Sequence, residues 1–324
     1  MSKSKSNYKS GSRLEQVLEA GQFALTGELG PPKAVEAERV RKKAGYLKGA
    51  VDAVNITDNQ TAIVRMSSFS ASMIALSEGV EPVMQITTRD RNRLAIQSDV
   101  IGASALGIKN ILCLSGDHHS FGNHPQAKAV YDIDSIQLIH MLRSMRDEGI
   151  FASGEPIRST KKSEVAPPQI FIGAAANPFA EPIDFRVRRL AKKIHAGADF
   201  IQTQVIYDMK RFRQWMQQVC DQGLHEKASI LAGITPLKSA RMASYMKEHV
   251  SGISITDEII HRLSSAEDQK AEGMQIAVEQ MQELKEVAGV SGVHLMAIGA
   301  EKHVPDIAEA AGFMPRPEPV GELS

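Results

Sequence analysis

The sequence predicts a (β/α)8 barrel of the α/β class, formed by a single domain with an extended helical segment between its seventh and eighth strands. Two observations support this prediction: eight short β-rich apolar runs recur along the 324 residues, and longer amphipathic segments separate them. An open doubly wound sheet more often carries a glycine-rich phosphate turn after its first strand, whereas the first run here leads into Gly30-Pro31-Pro32. A closed barrel is therefore the favoured architecture.

The elements are assigned from the spacing of apolar residues. The predicted strands cover residues 23–29, 52–57, 83–88, 110–115, 169–175, 200–206, 229–234 and 292–298. Helical patterns cover, for example, residues 91–106, 185–196 and 210–220. Residues 239–287 are too many for one helix, so two or three helices are predicted there, with breaks near Gly252 and Ser264.

Three further segments lack a regular pattern. Residues 154–168 are polar and contain proline, which predicts a loop before the fifth strand. Residues 1–20 begin with the polar, basic stretch MSKSKSNYKSGSR and are predicted to form a disordered lead-in, with residues 21–324 forming the catalytic barrel. The tail after Gly312 is too rich in proline for regular structure.

Composition excludes several classes of protein. The chain contains 38 basic and 38 acidic residues, and this balance argues against a nucleic-acid-binding protein. Apolar runs fall far short of the roughly 20 residues that span a membrane. Since no segment resembles a secretory signal, a cytoplasmic location is predicted. Cys113 and Cys220 lie far apart in apolar runs, which favours packing over a disulfide or metal site.

Functional side chains of such barrels gather where the strands end at their carboxyl side. Polar residues stand at these positions: Glu28, Thr57, Asp58, Asn59, Gln85, Thr87, Thr88, Arg89, Asp90, Ser115, Gly116, Asp117, His118, Asn177, Gln202, Gln204 and Thr235. Amides, hydroxyls and two isolated carboxylates, Glu28 and Asp117, suit a flat heterocyclic ligand that needs hydrogen bonds and an acid for proton transfer. These residues predict a barrel enzyme for an uncharged or weakly charged ring system.

Each candidate also has a purely structural interpretation. Glu28 could be a salt-bridged group of the barrel interior, and Asp117 could cap a helix or turn. Gln202 and Gln204 share one strand face, so a structural polar layer is an alternative to ligand binding. Neighbouring histidines fit no standard metal-ligand spacing, and no metal is predicted: His118, His119 and His124. His294 is interpreted as a hydrogen-bonded barrel residue.

Six motifs in register give a family resemblance over residues 23–317. They are GELGPP, VNITDNQT, QITTRDRNR, LSGD, AGADFIQTQ, and GVHLMAI followed by AGFMPRP. With these motifs the chain resembles the methylenetetrahydrofolate reductases, and it is most like the short bacterial and acetogen-type enzymes. The resemblance implies a flavin-containing (β/α)8 barrel of one-carbon metabolism and methionine biosynthesis. That enzyme would reduce 5,10-methylenetetrahydrofolate to 5-methyltetrahydrofolate by hydride transfer from N5 of the reduced flavin.

The resemblance also assigns roles to residues. Glu28 matches the family's general acid, Asp117 matches the carboxylate beside the flavin and the pterin, and Gln204 matches the amide that binds the pterin ring. The implied cofactor is FAD, with FMN as an alternative, and Lys193 is the implied phosphate partner. The implied cofactor-binding positions are Thr57, Asn59, Gln85, Leu114, Ser115, Gly116, Asp117, Tyr131, Asp132 and Lys193.

Some positions depart from the family pattern. Alanines and Asn177 stand where relatives have a Tyr-Pro pair, Arg186 replaces an aspartate, and Ala240 replaces the aromatic residue that stacks on folate and nicotinamide. These changes argue against direct reduction by a nicotinamide and favour an electron-donating partner protein, in a homo-oligomer or hetero-complex. Two alternatives remain: a folate-binding subunit without redox chemistry, and a pterin-dependent methyltransferase.

Overall fold

The computed structural model describes residues 8–318 and contains a closed barrel of parallel strands whose spatial order follows the chain. The strands are β1 (Ala24–Leu29), β2 (Ala53–Ile56), β3 (Pro82–Thr87), β4 (Asn110–Leu114), β5 (Phe171–Ala176), β6 (Phe200–Val205), β7 (Ser229–Ile234) and β8 (Val290–Leu295). Strand β1 pairs in parallel with both β2 and β8, which closes the sheet on itself. The predicted (β/α)8 barrel is confirmed.

Helices surround the barrel on its outer face. They are α1 (Arg13–Glu19), α2 (Ala37–Leu47), α3 (Ser68–Ser77), α4 (Arg93–Ala105), α5 (Ser135–Arg143), α6 (Arg186–Ala196), α7 (Met209–Asp221), α8 (Ala240–His249), α9 (Asp257–Ser265), α10 (Gln269–Lys285) and α11 (Val304–Ala310). Within this part of the chain, every helix is too short or too polar to cross a bilayer.

The predicted elements between β7 and β8 are confirmed. Three helices, α8 to α10, fill this segment, and the first break contains Gly252 at a φ of 79°, which a residue with a side chain rarely adopts. Residues 154–168 form a loop with only an isolated bridge between Ile150 and Pro156. Residues 313–318 contain no helix or strand.

Large apolar side chains fill the amino end of the barrel interior. This cluster consists of Ala24, Ala53, Val83, Leu112, Phe171, Phe200 and Leu231, together with Leu14 and Val17 of α1. The rings of Phe171 and Phe200 stack with centroids 5.2 Å apart. Gly173 makes room for Phe200, because a Cβ atom at position 173 would lie 2.3 Å from that ring. The packed interior leaves only the carboxyl end of the barrel open for a ligand.

Helix α1 closes the amino end of the barrel and corrects one prediction. The disordered lead-in predicted for residues 1–20 is wrong over residues 13–19, which form this helix, whereas residues 1–7 lie outside the described residues. The physical reason is an apolar stripe at helical spacing, Leu14 and Val17, that is buried against the barrel interior. The polar residues that precede the helix obscure this stripe in the sequence.

Buried carboxylates at the starts of three strands tie this end of the barrel together: Asp52, Glu81 and Asp199. Glu81 accepts hydrogen bonds from the backbone N–H groups of Arg13 and Leu14, at 2.6 and 3.0 Å, and thereby caps α1. Burial raises the pKa of Glu81, and these N–H groups act in the opposite direction. Asp52 pairs with Arg316 and Asp199 with Arg146, so the segment after α11 and the segment after α5 are both anchored beneath the barrel.

The substitution Leu14→Ala tests the contribution of α1. It should lower the free energy of unfolding by about 2 to 5 kcal/mol, because it removes buried methyl groups and leaves a cavity under the barrel. Chemical denaturation measures this change. Glu19→Ala, at the exposed end of the same helix, is the control and should change stability by less than about 0.5 kcal/mol. Equal stabilities of the Leu14→Ala variant and the wild type would contradict the assignment of α1 as a packed element.

Candidate active site

Two adjoining cavities of about 360 and 390 Å³ open at the carboxyl end of the barrel. They share a set of lining residues, and we call this shared space the mouth: Glu28, Gln85, Leu114, Ala175, Arg189, Lys193 and Gln204. These residues follow five different strands, so the parallel arrangement alone brings them together. The mouth is large enough for a flat ring system and a second ligand beside it.

The structure brings most of the predicted site residues to these cavities. The lining includes Glu28, Thr57, Asn59, Gln85, Leu114, Ser115, Gly116, Asp117, Lys193 and Gln204. Tyr131 and Asp132 lie outside both linings, in the segment before α5. Hydrogen bonds from Arg93 lower the pKa of Asp132 to about 2, so this exposed carboxylate already has a cationic partner.

Glu28, at the end of β1, is a buried carboxyl group with an unused oxygen. The residue is 7% exposed, and its Oε1 atom has no hydrogen-bond partner. Its other oxygen, Oε2, lies 3.7 Å from Nε2 of His294, which is too long for a hydrogen bond. Among the described residues no lysine or arginine pairs with Glu28, and His294 is an ion-pair partner only when its ring is protonated. The free oxygen is available to a ligand.

A hydrogen-bond chain crosses the barrel interior beneath Glu28. Asn55 and Gln202 exchange two amide hydrogen bonds, of 2.6 and 3.1 Å. Gln202 also donates from Nε2 to Oγ1 of Thr26 at 3.2 Å, and Oγ1 lies 2.9 Å from Nδ1 of His294. We assign the hydroxyl proton of Thr26 to the bond with Nδ1, an arrangement that leaves an oxygen lone pair to accept from Gln202. A neutral His294 then carries its proton on Nε2, the atom that faces Glu28.

The two glutamines of β6 differ in their surroundings. Gln202 is buried within the chain just described, so the structural interpretation holds for this residue. Gln204 is half-buried in the mouth, and its Oε1 accepts only the backbone N–H of Val205, at 3.0 Å. The pairing of β6 with β7 shifts register between Gln202 and Val205, which turns this part of the strand. Gln204 is thus the glutamine available to a ligand.

Asp117 connects two loops at the edge of the mouth. Its Oδ2 atom accepts the backbone N–H of Thr61 at 3.1 Å, and its carbonyl oxygen accepts from Arg89 at 3.0 Å. The Arg89 side chain is buried and pairs with Asp90. Asp117 therefore joins the loops after β2 and β4, and its bond to Thr61, within the short 3-10 helix Gln60–Ala62, agrees with the helix or turn cap considered for it. The carboxylate is exposed, and it lines the cavity of about 390 Å³ together with residues that follow β2 and β3.

Helix α6 presents cations to the opposite side of the mouth. Three cations lie on this helix at spacings of three and four residues: Arg186, Arg189 and Lys193. Arg189 and Lys193 line the mouth, and Arg186 lines the cavity of about 360 Å³. Lys193 donates to the carbonyl oxygen of Ala175, and burial lowers the pKa of Lys193 to about 8. Within residues 8–318, none of the three forms an ion pair with a carboxylate. The mouth can therefore bind an anionic group on this side.

Sequence analysis missed three residues of this site. The signal for Arg189 is its helical spacing from Lys193, which places both side chains on one face of α6. Trp215 of α7 lines the cavity of about 360 Å³, and its buried indole N–H has no partner among the described residues. His294 is hydrogen-bonded inside the barrel, as predicted, but its position facing Glu28 has no signal in the sequence, because 266 residues separate the two.

The predicted histidine loop carries no arrangement typical of a metal site. The rings of His118 and His119 lie 4.2 Å apart, and Nδ1 of His118 contacts the hydroxyl group of Ser120. In the part of the chain that the structure describes, no group of three or more histidine, cysteine, aspartate or glutamate residues converges on one point.

Comparison with known proteins gives the following matches. The model of the family "Methylenetetrahydrofolate reductase" matches residues 13–312. Methylenetetrahydrofolate reductase (NADH) 1 of Arabidopsis thaliana is 25% identical over 302 residues, which are 90% of this chain and 48% of the relative. Methylenetetrahydrofolate reductase 2 of Saccharomyces cerevisiae is 27% identical over 265 residues, 78% of this chain and 40% of the relative. The chain spans about half the length of these relatives or less.

Solved structures of similar fold include the following one. It is an uncharacterized protein from Clostridium thermocellum that binds two copies of 5-methyl-5,6,7,8-tetrahydrofolic acid. The TM-score is 0.61 and the sequence identity 14%, with 93% of this chain and 99% of that chain covered. At this identity the likeness supports the barrel fold alone.

The substitution Thr26→Val tests the hydrogen-bond chain. It keeps the shape of the side chain but removes the hydroxyl group, so a neutral His294 should lose its preference for a proton on Nε2. Nitrogen NMR chemical shifts of His294 measure the tautomer directly. Stability should also fall by about 1 to 3 kcal/mol, since buried polar atoms lose partners. Thr160→Val, in the exposed loop before β5, is the control and should leave the His294 signals unchanged. Unchanged His294 signals in the Thr26→Val variant would contradict the chain.

Proposed function

The chain belongs to the methylenetetrahydrofolate reductase family, and from this premise we propose that it reduces 5,10-methylenetetrahydrofolate to 5-methyltetrahydrofolate with a bound flavin. The observation that carries the proposal is the buried Glu28 carboxyl group, whose Oε1 atom lacks a partner inside a cavity suited to a ring system. The curated relatives are named as reductases of this substrate, and a neighbour of the same fold binds its methylated product. Both findings support a folate ligand.

The residues of the mouth fit a flavin. The hydroxyl group of Thr57 is buried there without a hydrogen-bond partner, and the amide of Gln85 lines both cavities. On the opposite side, Arg189 and Lys193 are cations without a carboxylate partner among the described residues, so they can bind a phosphate group of FAD or FMN. A bound flavin supplies the hydride for the one-carbon unit of the substrate.

Glu28 is the proposed general acid. The five-membered ring of the substrate must open to a 5-iminium cation before reduction, and opening requires a proton on N10. Glu28 lies in the wall of the mouth with one oxygen unused, so this carboxyl group can deliver that proton. His294, held by Thr26, faces the other oxygen at 3.7 Å.

Asp117 and Gln204 are proposed to bind the substrate. A carboxylate at the mouth favours the positive charge that develops on the iminium group, and Asp117 is a carboxylate of this kind. The amide of Gln204 can donate to and accept from the edge of the pterin ring, because its NH2 group forms no hydrogen bond with other described residues. The substrate would thus lie between a proton donor and a negative charge.

We propose that the electrons come from a partner protein. The Arabidopsis relative is named for NADH, yet among the lining residues of the two cavities Trp215 is the only phenylalanine, tyrosine or tryptophan. Ala240, at the start of α8, lies outside both linings. The mouth therefore lacks an aromatic ring on the β7 side for a nicotinamide to stack on.

The substitution Glu28→Gln tests the general acid. Glutamine keeps the size of the side chain but has no carboxyl proton, so folate reduction should slow by about 10² to 10⁴-fold. The purified variant should still contain flavin, and chemical reduction of that flavin should be unchanged. Absorbance spectra and separate measurement of the two half-reactions distinguish these effects. Glu19→Gln, at the other end of the barrel, is the control. Unchanged folate turnover in the Glu28→Gln variant would exclude Glu28 as the acid, and a colourless wild-type protein would favour a folate-binding subunit.

Flavin affinity should depend on pH through Lys193. The pKa of Lys193 is lowered to about 8 by burial, so the cation that attracts the phosphate is present below pH 8 and is lost above it. The dissociation constant of the flavin should therefore rise from about pH 8 upward, by up to about tenfold per pH unit. Quenching of flavin fluorescence measures this constant between about pH 6.5 and 9.5.

Two substitutions on α6 make the Lys193 test specific. Lys193→Gln should weaken flavin binding at pH 7 and remove the rise in the dissociation constant at alkaline pH, because no charge remains to be lost. Lys192→Gln is the matched control, because Lys192 is adjacent to Lys193 on α6 but its side chain is exposed and lies outside the mouth. A wild-type dissociation constant that does not vary between these pH values would exclude Lys193 as the phosphate partner.

A further inference from the structure

The loops after β2 and β4 form an exposed surface beside the mouth, and we call residues 60–65 and 118–130 the rim surface. It continues the wall of the cavity of about 390 Å³, which Gln60 and Asp117 line. Phe121 is 78% exposed, although phenylalanine is normally buried. Exposed apolar side chains that gather beside a site are typical of a surface that binds another protein. The rim surface has three large ones: Val64, Phe121 and Val130.

Contacts between the two loops fix the shape of the rim surface. The backbone N–H of Val64 donates to the side-chain oxygen of Asn123 at 3.2 Å. Gly122 lies against the backbone of Ala62, because a Cβ atom at position 122 would lie 1.8 Å from the carbonyl oxygen of Ala62. Thr61 and Ala62 have φ angles of 56° and 55°, which residues with side chains keep only where their surroundings hold them. The rim surface is therefore preformed, which lowers the entropy cost of binding.

The buried Arg89 joins Val130 to the same unit. The backbone N–H of Val130 donates to the carbonyl oxygen of Arg89 at 2.8 Å. The guanidinium group of Arg89 donates to the carbonyl oxygens of Asn59 and Asp117, at 3.3 and 3.0 Å. These hydrogen bonds bring both loops to one edge of the mouth, so the three apolar side chains belong to one surface.

The rim surface contains basic residues and no acidic one. Its two segments read QTAIVR and HHSFGNHPQAKAV, with Arg65, Lys128 and three histidines but neither aspartate nor glutamate. Lys128 is exposed and forms no ion pair with the described residues. The carboxylates on either side of the second segment already have partners, Asp117 a backbone N–H and Asp132 the side chain of Arg93. The rim surface is thus complementary to a protein face that carries carboxylates.

We propose that the rim surface docks a small acidic iron–sulfur protein, which supplies the electrons for folate reduction. This proposal rests on the proposed function, which puts a flavin in the mouth and takes its electrons from a partner protein. Phe121 is four residues from Asp117, a separation of at most about 14 Å, so a protein seated on Phe121 lies close to the mouth. Small interfaces of this kind are typical of transient electron-transfer encounters.

The proposed step balances in electrons and protons. Each molecule of the reduced iron–sulfur protein loses one electron, so two molecules dock in turn for each folate that is reduced. Water supplies two protons. The two electrons and one proton reach the one-carbon unit as a hydride through the flavin, and the second proton goes to N10. This sum is what conversion of the methylene group to a methyl group requires.

The proposal is tested by comparing two electron donors with the purified, flavin-containing protein. A reduced acidic ferredoxin with two [4Fe–4S] clusters has to dock, whereas reduced methyl viologen is small enough to reach the mouth without docking. Phe121→Ser combined with Lys128→Glu should raise the KM for ferredoxin about tenfold and leave the methyl viologen rate unchanged. Higher salt should raise the ferredoxin KM of the wild type, because the charged contacts are exposed. Unchanged methyl viologen turnover also shows that the variant is folded.

A matched control makes the same chemical changes outside the rim surface. Leu106→Ser combined with Lys161→Glu alters an exposed apolar residue at the end of α4 and an exposed lysine in the loop before β5. Both activities of this control should equal those of the wild type.

The outcomes separate this proposal from the proposed function. If methyl viologen supports folate reduction but ferredoxin does not, the docking surface is overturned while the proposed reductase activity stands. If the control raises the ferredoxin KM as much as the rim-surface variant, or if that variant loses both activities in parallel, the docking surface is again overturned. If neither donor supports folate reduction by the wild type, the proposed function itself fails, and the docking surface fails with it.

Discussion

The hydrogen-bond chain from Asn55 through Gln202 and Thr26 to His294 is the interaction on which the candidate site depends. It joins β2, β6, β1 and β8 across the barrel interior, so the position of Thr26, two residues before Glu28 on β1, is set by three other strands. Each side chain in this hydrogen-bond chain, up to Nδ1 of His294, has a hydrogen-bond partner, whereas Oε1 of Glu28 has none. Buried polar groups that are hydrogen-bonded keep a site rigid, whereas the unpaired Oε1 atom of Glu28 is available to a ligand.

Stability and chemistry are separated along the barrel axis. At the amino end, α1 seals a packed apolar interior, and buried carboxylates are fully engaged with arginines and backbone N–H groups. At the carboxyl end, the hydroxyl group of Thr57 and the NH2 group of Gln204 have no hydrogen-bond partner among the described residues, and Lys193 has no carboxylate partner there. Polar groups without hydrogen-bond partners lower the free energy of unfolding. The packing and ion pairs at the amino end offset this loss at the carboxyl end.

The carboxyl end has an uneven distribution of charge. Glu28 lies on β1 and Asp117 follows β4, whereas the cations of α6 follow β5. The two cavities thus present carboxyl groups and cations on different segments, so each can meet a ligand group of opposite charge.

The sequence by itself determined the barrel, the strand positions and most residues at the strand ends, because alternation of apolar runs and helical patterns is a local property of the chain. It also singled out Glu28 and Gln204, since both stand next to recognisable strand ends. Only the tertiary structure decided that α1 is packed, that Gln202 is structural, and that His294 faces Glu28. These features depend on contacts between residues far apart in the chain, such as Thr26 and Gln202, which are 176 positions apart. Closure of the barrel creates such contacts, and no local pattern encodes them.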